Sequence, residues 1–141
     1  MRTRDGVDHI RIHLDANTEL GRKLSEFQIR PFTVEPYAEF SHLLGYSLWL
    51  KTGKCHSQLR HLTPFECLRI AKSYPGVWNK QFHEEYKNGV RASLLTDPKL
   101  LDMFLANGLP LMIYKVTPGD LMGNDRDGLR NIYQELDDEL S

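Results

Sequence analysis

Hydrophobic and polar positions change their period along the chain, and each period predicts a different element. Residues 8–14 alternate, with Ile10, Ile12 and Leu14 on one face and polar side chains on the other. This alternation predicts a half-buried strand. Phe32–Val34, bounded by prolines, predicts a second short strand, and residues 111–116 predict a third.

Longer segments follow the helical period. Residues 37–51 are nearly all apolar and stop at Gly53, which predicts a buried helix. The sequence Thr63-Pro64-Phe65-Glu66 is typical of a capping box at a helix start. Three further helices are predicted: over residues 81–95, from Asp97-Pro98 to Asn107-Gly108, and over residues 129–140.

These elements predict the fold class: a mostly helical α+β domain with a small sheet of short strands. A length of 141 residues fits a single domain. We expect residues 1–7 to form a loose N-terminal tail. Residues 117–128 hold four glycines or prolines and three aspartates, which predicts a loop before the last helix.

Composition excludes several classes of protein. Hydrophobic residues make up 40% of the chain and charged residues 26%, as in a globular domain. Eighteen basic and 19 acidic residues leave a net charge of -1, so no global attraction to nucleic acid or to an acidic membrane is expected. No apolar run reaches membrane-spanning length, and the N-terminus lacks the apolar stretch of a signal peptide.

Cysteine and histidine usage indicates where the protein resides and what it binds. Two cysteines, Cys55 and Cys67, make no disulfide framework or zinc spacing, so we expect a reducing, cytoplasmic setting. Six histidines follow no recognised metal-ligand spacing. We therefore predict no metal and no cofactor.

An ordered series of motifs runs through most of the chain. It starts with residues 21–27 (GRKLSEF) and Pro31-Phe32, and continues through the aromatic segment 45–53 (GYSLWLKTG). It ends with the block from residue 82 to residue 114 and the loop and helix of residues 119–140. In this order the motifs resemble the NADAR (YbiA-like) family, in the form found in phage-type members.

The resemblance implies a fold, a chemistry and a setting. It implies a YbiA-like α+β domain that cleaves the N-glycosidic bond between ribose and a base. The substrate would be a riboflavin intermediate or an ADP-ribosyl nucleobase, so nucleic acid enters only as a modified substrate. A bacterial cytoplasm, or that of a phage-infected host, would be the location.

Two carboxylates are the candidate catalytic groups, because an oxocarbenium-like ribose needs a carboxylate to stabilise it or to activate water. Asp120 resembles the acidic residue of the family's late glycine-bearing loop. A turn aspartate that bonds its own backbone is the other interpretation. Glu39 would serve only with a shifted helix register, and it is otherwise a first-turn helix carboxylate.

Substrate-binding candidates come from the opening motif and from one tryptophan. Arg22, Lys23 and Ser25 would hold phosphate or ribose, with Phe27 beside them, and Trp78 would hold the base. The alternatives are a solvated basic pair, a structural turn with a core aromatic residue, and a structural tryptophan.

Departures from the family pattern leave a second function open. Leu44 stands where the family carries a glutamate, Glu26 where it carries an asparagine, and Ile113 where phage-type members place a histidine. A leucine cannot carry out acid–base chemistry. The alternative is a catalytically degenerate protein that binds ADP-ribose, a nucleotide or a protein partner. A third interpretation is a small helical interaction protein.

Overall fold

The computed structural model describes residues 4–35, 38–71, 79–113 and 126–141. The described strands are β1 (Ile10–Arg11), β2 (Phe32–Val34), β3 (Ala38–Phe40) and β4 (Leu111–Met112). The described helices are α1 (Glu19–Leu24), α2 (Leu43–Lys51), α3 (Pro64–Ala71), α4 (Lys80–Leu95), α5 (Pro98–Ala106) and α6 (Arg126–Leu140), with a 3₁₀ helix at Ser57–Arg60. Among these described helices, none combines the length and apolarity that crossing a membrane requires.

The chain divides into two compact units, each with its own strand pair and helices. The first unit comprises Met1–Gln28 and Asp97–Ser141, and the second comprises Ile29–Thr96. Strands β1 and β4 pair in parallel in the first unit, and β2 and β3 pair antiparallel in the second. The α+β class with short strands is therefore confirmed. One domain over residues 1–141 stays a prediction.

The first unit packs the helices α1, α5 and α6 with the short β1–β4 pair. The Ile10 N–H donates to the carbonyl of Pro110 at 2.8 Å, and the Ile12 N–H donates to Met112 at 2.9 Å. Tyr133 of α6 donates its hydroxyl to the Leu24 carbonyl at 2.9 Å. The apolar side chains buried here include Ile10, Ile12, Leu20, Leu24, Leu100, Phe104, Leu129, Ile132 and Leu136.

Hydrogen bonds connect Asp5 and Gly6, within the predicted tail, to later residues, while the tail over residues 1–7 stays a prediction. The Asp5 carboxylate accepts from the Arg11 N–H and from the Asn17 N–H, both at 2.7 Å. The Gly6 N–H donates to the His9 carbonyl at 2.7 Å. The Asp5 carboxylate thus joins residue 5 to two later parts of the chain, at Arg11 and Asn17.

The strand predicted over residues 8–14 is shorter than its alternation indicates. Only Ile10–Arg11 pairs as a strand. Leu14 is 36% exposed, whereas His9, expected on the polar face, is 2% exposed. The His9 Nδ1 lies 2.8 Å from the Asp8 carboxylate. The contact with Asp8 therefore allows His9 to occupy a buried position. The alternation of apolar and polar residues along the sequence does not predict this contact.

The second unit is built around α2, in which every side chain position from Leu43 to Leu50 is buried. Tyr46 lies at the centre of an aromatic cluster with ring centres 4.9 Å from Phe40 and 5.8 Å from Phe32. Its hydroxyl donates to the Glu85 carbonyl at 2.7 Å. Trp49 packs on Phe40 with ring centres 5.1 Å apart and is 8% exposed, so it belongs to the core.

Helix α2 starts later than predicted, because a strand occupies the beginning of the apolar run. Residues 38–40 form β3, with Phe32 paired to Phe40. The helix begins after His42, whose Nδ1 accepts the Gly45 N–H at 2.9 Å. The His42 Nε2–H donates to the Leu62 carbonyl at 2.7 Å. Histidine is not among the usual N-cap residues, so the pattern does not signal this boundary.

Close backbone contacts hold both ends of α2. A Cβ at Gly45 would collide with the Leu59 carbonyl oxygen, so only glycine permits this approach. At the other end Gly53 has a φ of 78°, and the Lys54 N–H reaches back to the Trp49 carbonyl at 2.8 Å. This is the Schellman arrangement that glycine commonly provides after a helix, and it confirms the predicted stop at Gly53.

The helices whose first residues form recognisable N-caps begin where the sequence predicts them. The Thr63 N–H donates to the Glu66 carboxylate at 3.1 Å, and the Glu66 N–H donates to the Thr63 hydroxyl at 3.3 Å. These bonds complete the predicted capping box and lower the pKa of Glu66. Asp97 accepts the Leu100 N–H at 3.1 Å, as the predicted cap of α5 requires. Helix α6 begins at Arg126, within the predicted loop of residues 117–128.

Replacing Gly45 by alanine should destabilise the protein. The added methyl group meets backbone, which cannot move as a flexible side chain would, and such overpacking costs about 1–3 kcal/mol. Gly108→Ala is the matched control, because nothing lies within 4 Å of a Cβ at that position. Urea unfolding should show a lower free energy of unfolding for Gly45→Ala and a change within about 0.5 kcal/mol for Gly108→Ala. Equal effects would contradict the packing argument.

Acid should weaken the cap of α2. Burial lowers the pKa of His42 below its usual 6.5, because desolvation disfavours the charged ring by more than the bond to the Leu62 carbonyl favours it. The unfolded chain therefore takes up a proton first. Above pH 6.5 the ring is neutral in both states, so His42 does not change the free energy of unfolding. As the pH drops from 6.5 towards the folded-state pKa, the free energy of unfolding falls by up to about 1.4 kcal/mol per pH unit.

The measurement is urea unfolding at about pH 7.5 and about pH 5.5. His42→Asn keeps a capping acceptor but removes the titrating ring, so it should lose this part of the pH dependence. His61→Asn changes an exposed ring and should retain it. A pH dependence that survives His42→Asn would overturn the assignment to His42.

Candidate functional site

The glycine of the opening motif has a packing role. Helix α1 starts at a cap in which Thr18 accepts the Gly21 N–H at 3.0 Å. A Cβ at Gly21 would collide with the Arg11 carbonyl oxygen of β1. The Gly21 carbonyl in turn accepts the His13 N–H at 3.2 Å. Gly21 therefore lets α1 lie against the first strand, which is sufficient reason for glycine here.

The two basic residues of the motif have partners within the first unit. Arg22 is exposed, and its guanidinium donates to the Ala16 carbonyl at 2.8 Å. The Lys23 ammonium lies 3.8 Å from Glu19 and 3.9 Å from Asp97. Both cations lie in the last turn of α1, where they complement the negative end of the helix dipole. Arg22 and Lys23 are adjacent and could both contact one phosphate. Lys23 would first have to leave its two carboxylate partners.

Ser25 and Phe27 shape the turn that follows α1. The Ser25 hydroxyl accepts the Phe27 N–H at 3.2 Å, and the Ser25 carbonyl accepts the Gln28 N–H at 3.1 Å. Ser25 is 4% exposed, and Phe27 is half-buried. The structure thus brings four predicted binding residues, Arg22, Lys23, Ser25 and Phe27, together at the end of α1. The serine is occupied as a turn residue, which is the alternative given above.

Glu26 is a buried carboxylate that sequence reasoning did not propose for the site. Its exposure is 6%, although glutamate is among the residues least often buried. Its burial was not predictable, because the adjacent Arg22 and Lys23 are of the kind that marks a solvated turn. The one available signal was chemical: Glu26 is an acid at the position where the family carries an asparagine. It therefore joins the candidate residues of the opening motif.

Glu39 lies on a strand and not in the first turn of a helix, so that expectation is wrong. It is exposed and pairs in register with Thr33 across the β2–β3 ladder. The side chain next to it, Phe40, points into the core with no exposed surface. The Glu39 carbonyl accepts from the Arg60 guanidinium at 3.2 Å. A catalytic role for Glu39 stays a prediction.

Leu44 is an apolar core residue near the start of α2. Its exposed fraction is 0%. It follows the His42 cap and precedes Gly45, so its place on the helix is fixed by backbone contacts on both sides. The start of α2 therefore offers no carboxylate at the position where the resemblance implies one.

Two candidate residues, Asp120 and Trp78, lie outside the described residues. Their proposed roles as catalytic carboxylate and base platform stay predictions.

Comparison with known proteins identifies the fold. The NMR structure of the protein YbiA from E. coli is similar to this chain with a TM-score of 0.71 and 18% sequence identity. The match covers 99% of this chain and 87% of that protein. No protein-family model and no curated protein matches the sequence. At this identity the similarity establishes the fold: the chain has the YbiA-like α+β fold that its ordered motifs imply.

Proposed function

We propose that this chain binds a ribosyl or ADP-ribosyl ligand and does not cleave it. The YbiA-like fold and the motif of residues 21–27 support the class of ligand. The observation that carries the absence of turnover is Leu44, which is completely buried where the resemblance implies a glutamate. Glycosidic cleavage develops positive charge on the ribose, and in most such enzymes a pair of carboxylates does the work. A leucine provides neither charge nor a proton.

Ligand binding would use the end of α1. The guanidinium of Arg22 has donors beyond the one that bonds Ala16, and guanidinium groups suit phosphate oxygens. Phe27 is half-buried and offers a ring edge or face to a sugar or base. Lys23 would have to exchange Glu19 or Asp97 for the ligand, so its contribution should be smaller than that of Arg22.

Calorimetric titration with ADP-ribose, together with an assay for released base, tests this function. We expect saturable binding and no base release. Arg22→Gln should weaken binding about 5–30-fold, because it removes a charge-assisted contact. Lys99→Gln, an exposed lysine on α5, is the matched control and should change little. Absence of ADP-ribose binding, or equal effects of the two variants, would contradict this function.

An active N-glycosidase is the second candidate, and the burial of Glu26 favours it. A buried carboxylate in the opening motif could supply the acid–base group that position 44 lacks. Asp120 would then stabilise the ribose or activate water, with Glu26 or Glu39 as the second carboxylate. The leaving base, from a riboflavin intermediate or an ADP-ribosylated nucleobase, would be released without a cofactor.

Base release by the purified protein would select this second candidate. Asp120→Ala should then abolish release. Glu26→Gln and Glu39→Gln identify the second carboxylate, because only the catalytic one should reduce the rate by about 100-fold or more. Glu35→Gln, at an exposed glutamate outside the motif, is the control. Thermal unfolding of each variant separates loss of chemistry from loss of the fold.

A further inference from the structure

The second unit contains a groove whose described lining includes none of the described residues that the sequence predicts for the site. It has a volume of about 390 Å³ and lies between the end of α2 and the first turns of α4. This volume is within the range of about 300–1,000 Å³ that small-molecule sites occupy. Its polar wall is formed by Lys51, Lys54, Gln81 and Glu85, with Phe82 among its apolar residues.

The turn that ends α2 brings two lysines to this groove. Lys51 belongs to the last turn of the helix, and its ammonium lies 5.5 Å from the centre of the Phe82 ring. Lys54 follows Gly53 and has a φ of 64°, a left-handed conformation that is uncommon outside glycine. Its ammonium lies 3.0 Å from the Glu85 carboxylate. The Schellman turn thus directs two cations to one wall although they are three residues apart.

The described residues of this wall carry a net positive formal charge. They contribute two ammonium groups and one carboxylate, Glu85, which also accepts a long hydrogen bond of 3.5 Å from the Gln81 amide. Lys54 and Glu85 are each less than one-third exposed, so their interaction is screened less than that of a surface pair. At the N-terminus of α4, Asn79 already accepts the Phe82 N–H at 2.8 Å, so this donor is not available to a ligand.

We propose that this groove binds the phosphate group of a small molecule, with Lys51 and Lys54 as the principal contacts and Gln81 as an additional donor. Lysine binds phosphate as a point charge, whereas planar carboxylates are bound best by arginine, and this groove has lysines. Glu85 holds Lys54 in the ligand-free protein and competes with the ligand for it.

Calorimetry with inorganic pyrophosphate, AMP and adenosine at constant ionic strength tests the proposal. Pyrophosphate and AMP should bind and adenosine should not, and a difference between the first two distinguishes a free phosphate from a nucleotide ligand. Lys54→Gln should weaken binding at least about 5-fold. Glu85→Gln should strengthen it about 3-fold or more, because the competing charge is removed.

Two control variants make the same charge changes outside the groove. Lys80→Gln and Glu84→Gln alter exposed neighbours on α4 that do not line it. Both should leave the affinity nearly unchanged. If Lys80→Gln weakens binding as much as Lys54→Gln, or Glu84→Gln strengthens it as much as Glu85→Gln, diffuse surface charge explains the binding. That result, equal binding of adenosine, or no binding of pyrophosphate and AMP would overturn the proposal.

A thiol reporter locates the binding event. Cys55 is exposed beside Gly53, with its Sγ 3.3 Å from the Gly53 carbonyl. Burial raises the pKa of the Cys67 thiol to about 11, so a thiol-directed fluorine label reacts at Cys55. Addition of pyrophosphate should shift the fluorine resonance in the labelled protein, and Lys54→Gln should suppress that shift. An unchanged resonance at concentrations that saturate the calorimetric titration would place the ligand elsewhere.

Discussion

Helix α2 begins where the buried ring of His42 accepts the Gly45 N–H, and the second unit depends on this contact. The same ring donates to the Leu62 carbonyl, so one neutral histidine joins the helix start to the segment after the 3₁₀ helix. Gly45 completes the contact by allowing the Leu59 carbonyl to approach the helix. Because both partners are backbone groups, the rotation of α2 about its own axis is fixed. That rotation places Tyr46 in the aromatic cluster and Leu44 in the core.

This constraint links the fold to the chemistry. A carboxylate at position 44 would have to be as inaccessible to water as Leu44 is, and an ionised group there would cost several kcal/mol unless it were paired. Leucine at that position instead adds apolar burial to the core. Leucine at this position therefore favours stability, and it supplies no charge for the glycosidic cleavage that the resemblance implies.

Sequence reasoning predicted the elements whose ends carry recognisable local chemistry. The Thr63–Glu66 capping box, the Asp97 cap and the stop at Gly53 are all confirmed. The strand β3 was missed because its apolar residues run on into those of α2, and because histidine is an unusual N-cap. His9 was misplaced for a related reason, since a contact with the exposed Asp8 carboxylate offsets the polarity of its buried ring. Hydrophobic periodicity shows where apolar side chains recur along the sequence. It does not show which polar side chains form hydrogen bonds in the protein interior.

The resemblance of residues 21–27 to the family motif predicted a site at the end of α1. It did not show which of these residues have structural roles and which could bind a ligand. Packing against β1 accounts for Gly21, and the turn accounts for Ser25. Neither residue therefore indicates a ligand by itself, since each has a structural role here. Arg22 and Glu26 differ, because an exposed guanidinium and a buried acid are not required by a turn. Arg22 and Glu26 are thus the residues of the opening motif that this turn does not account for.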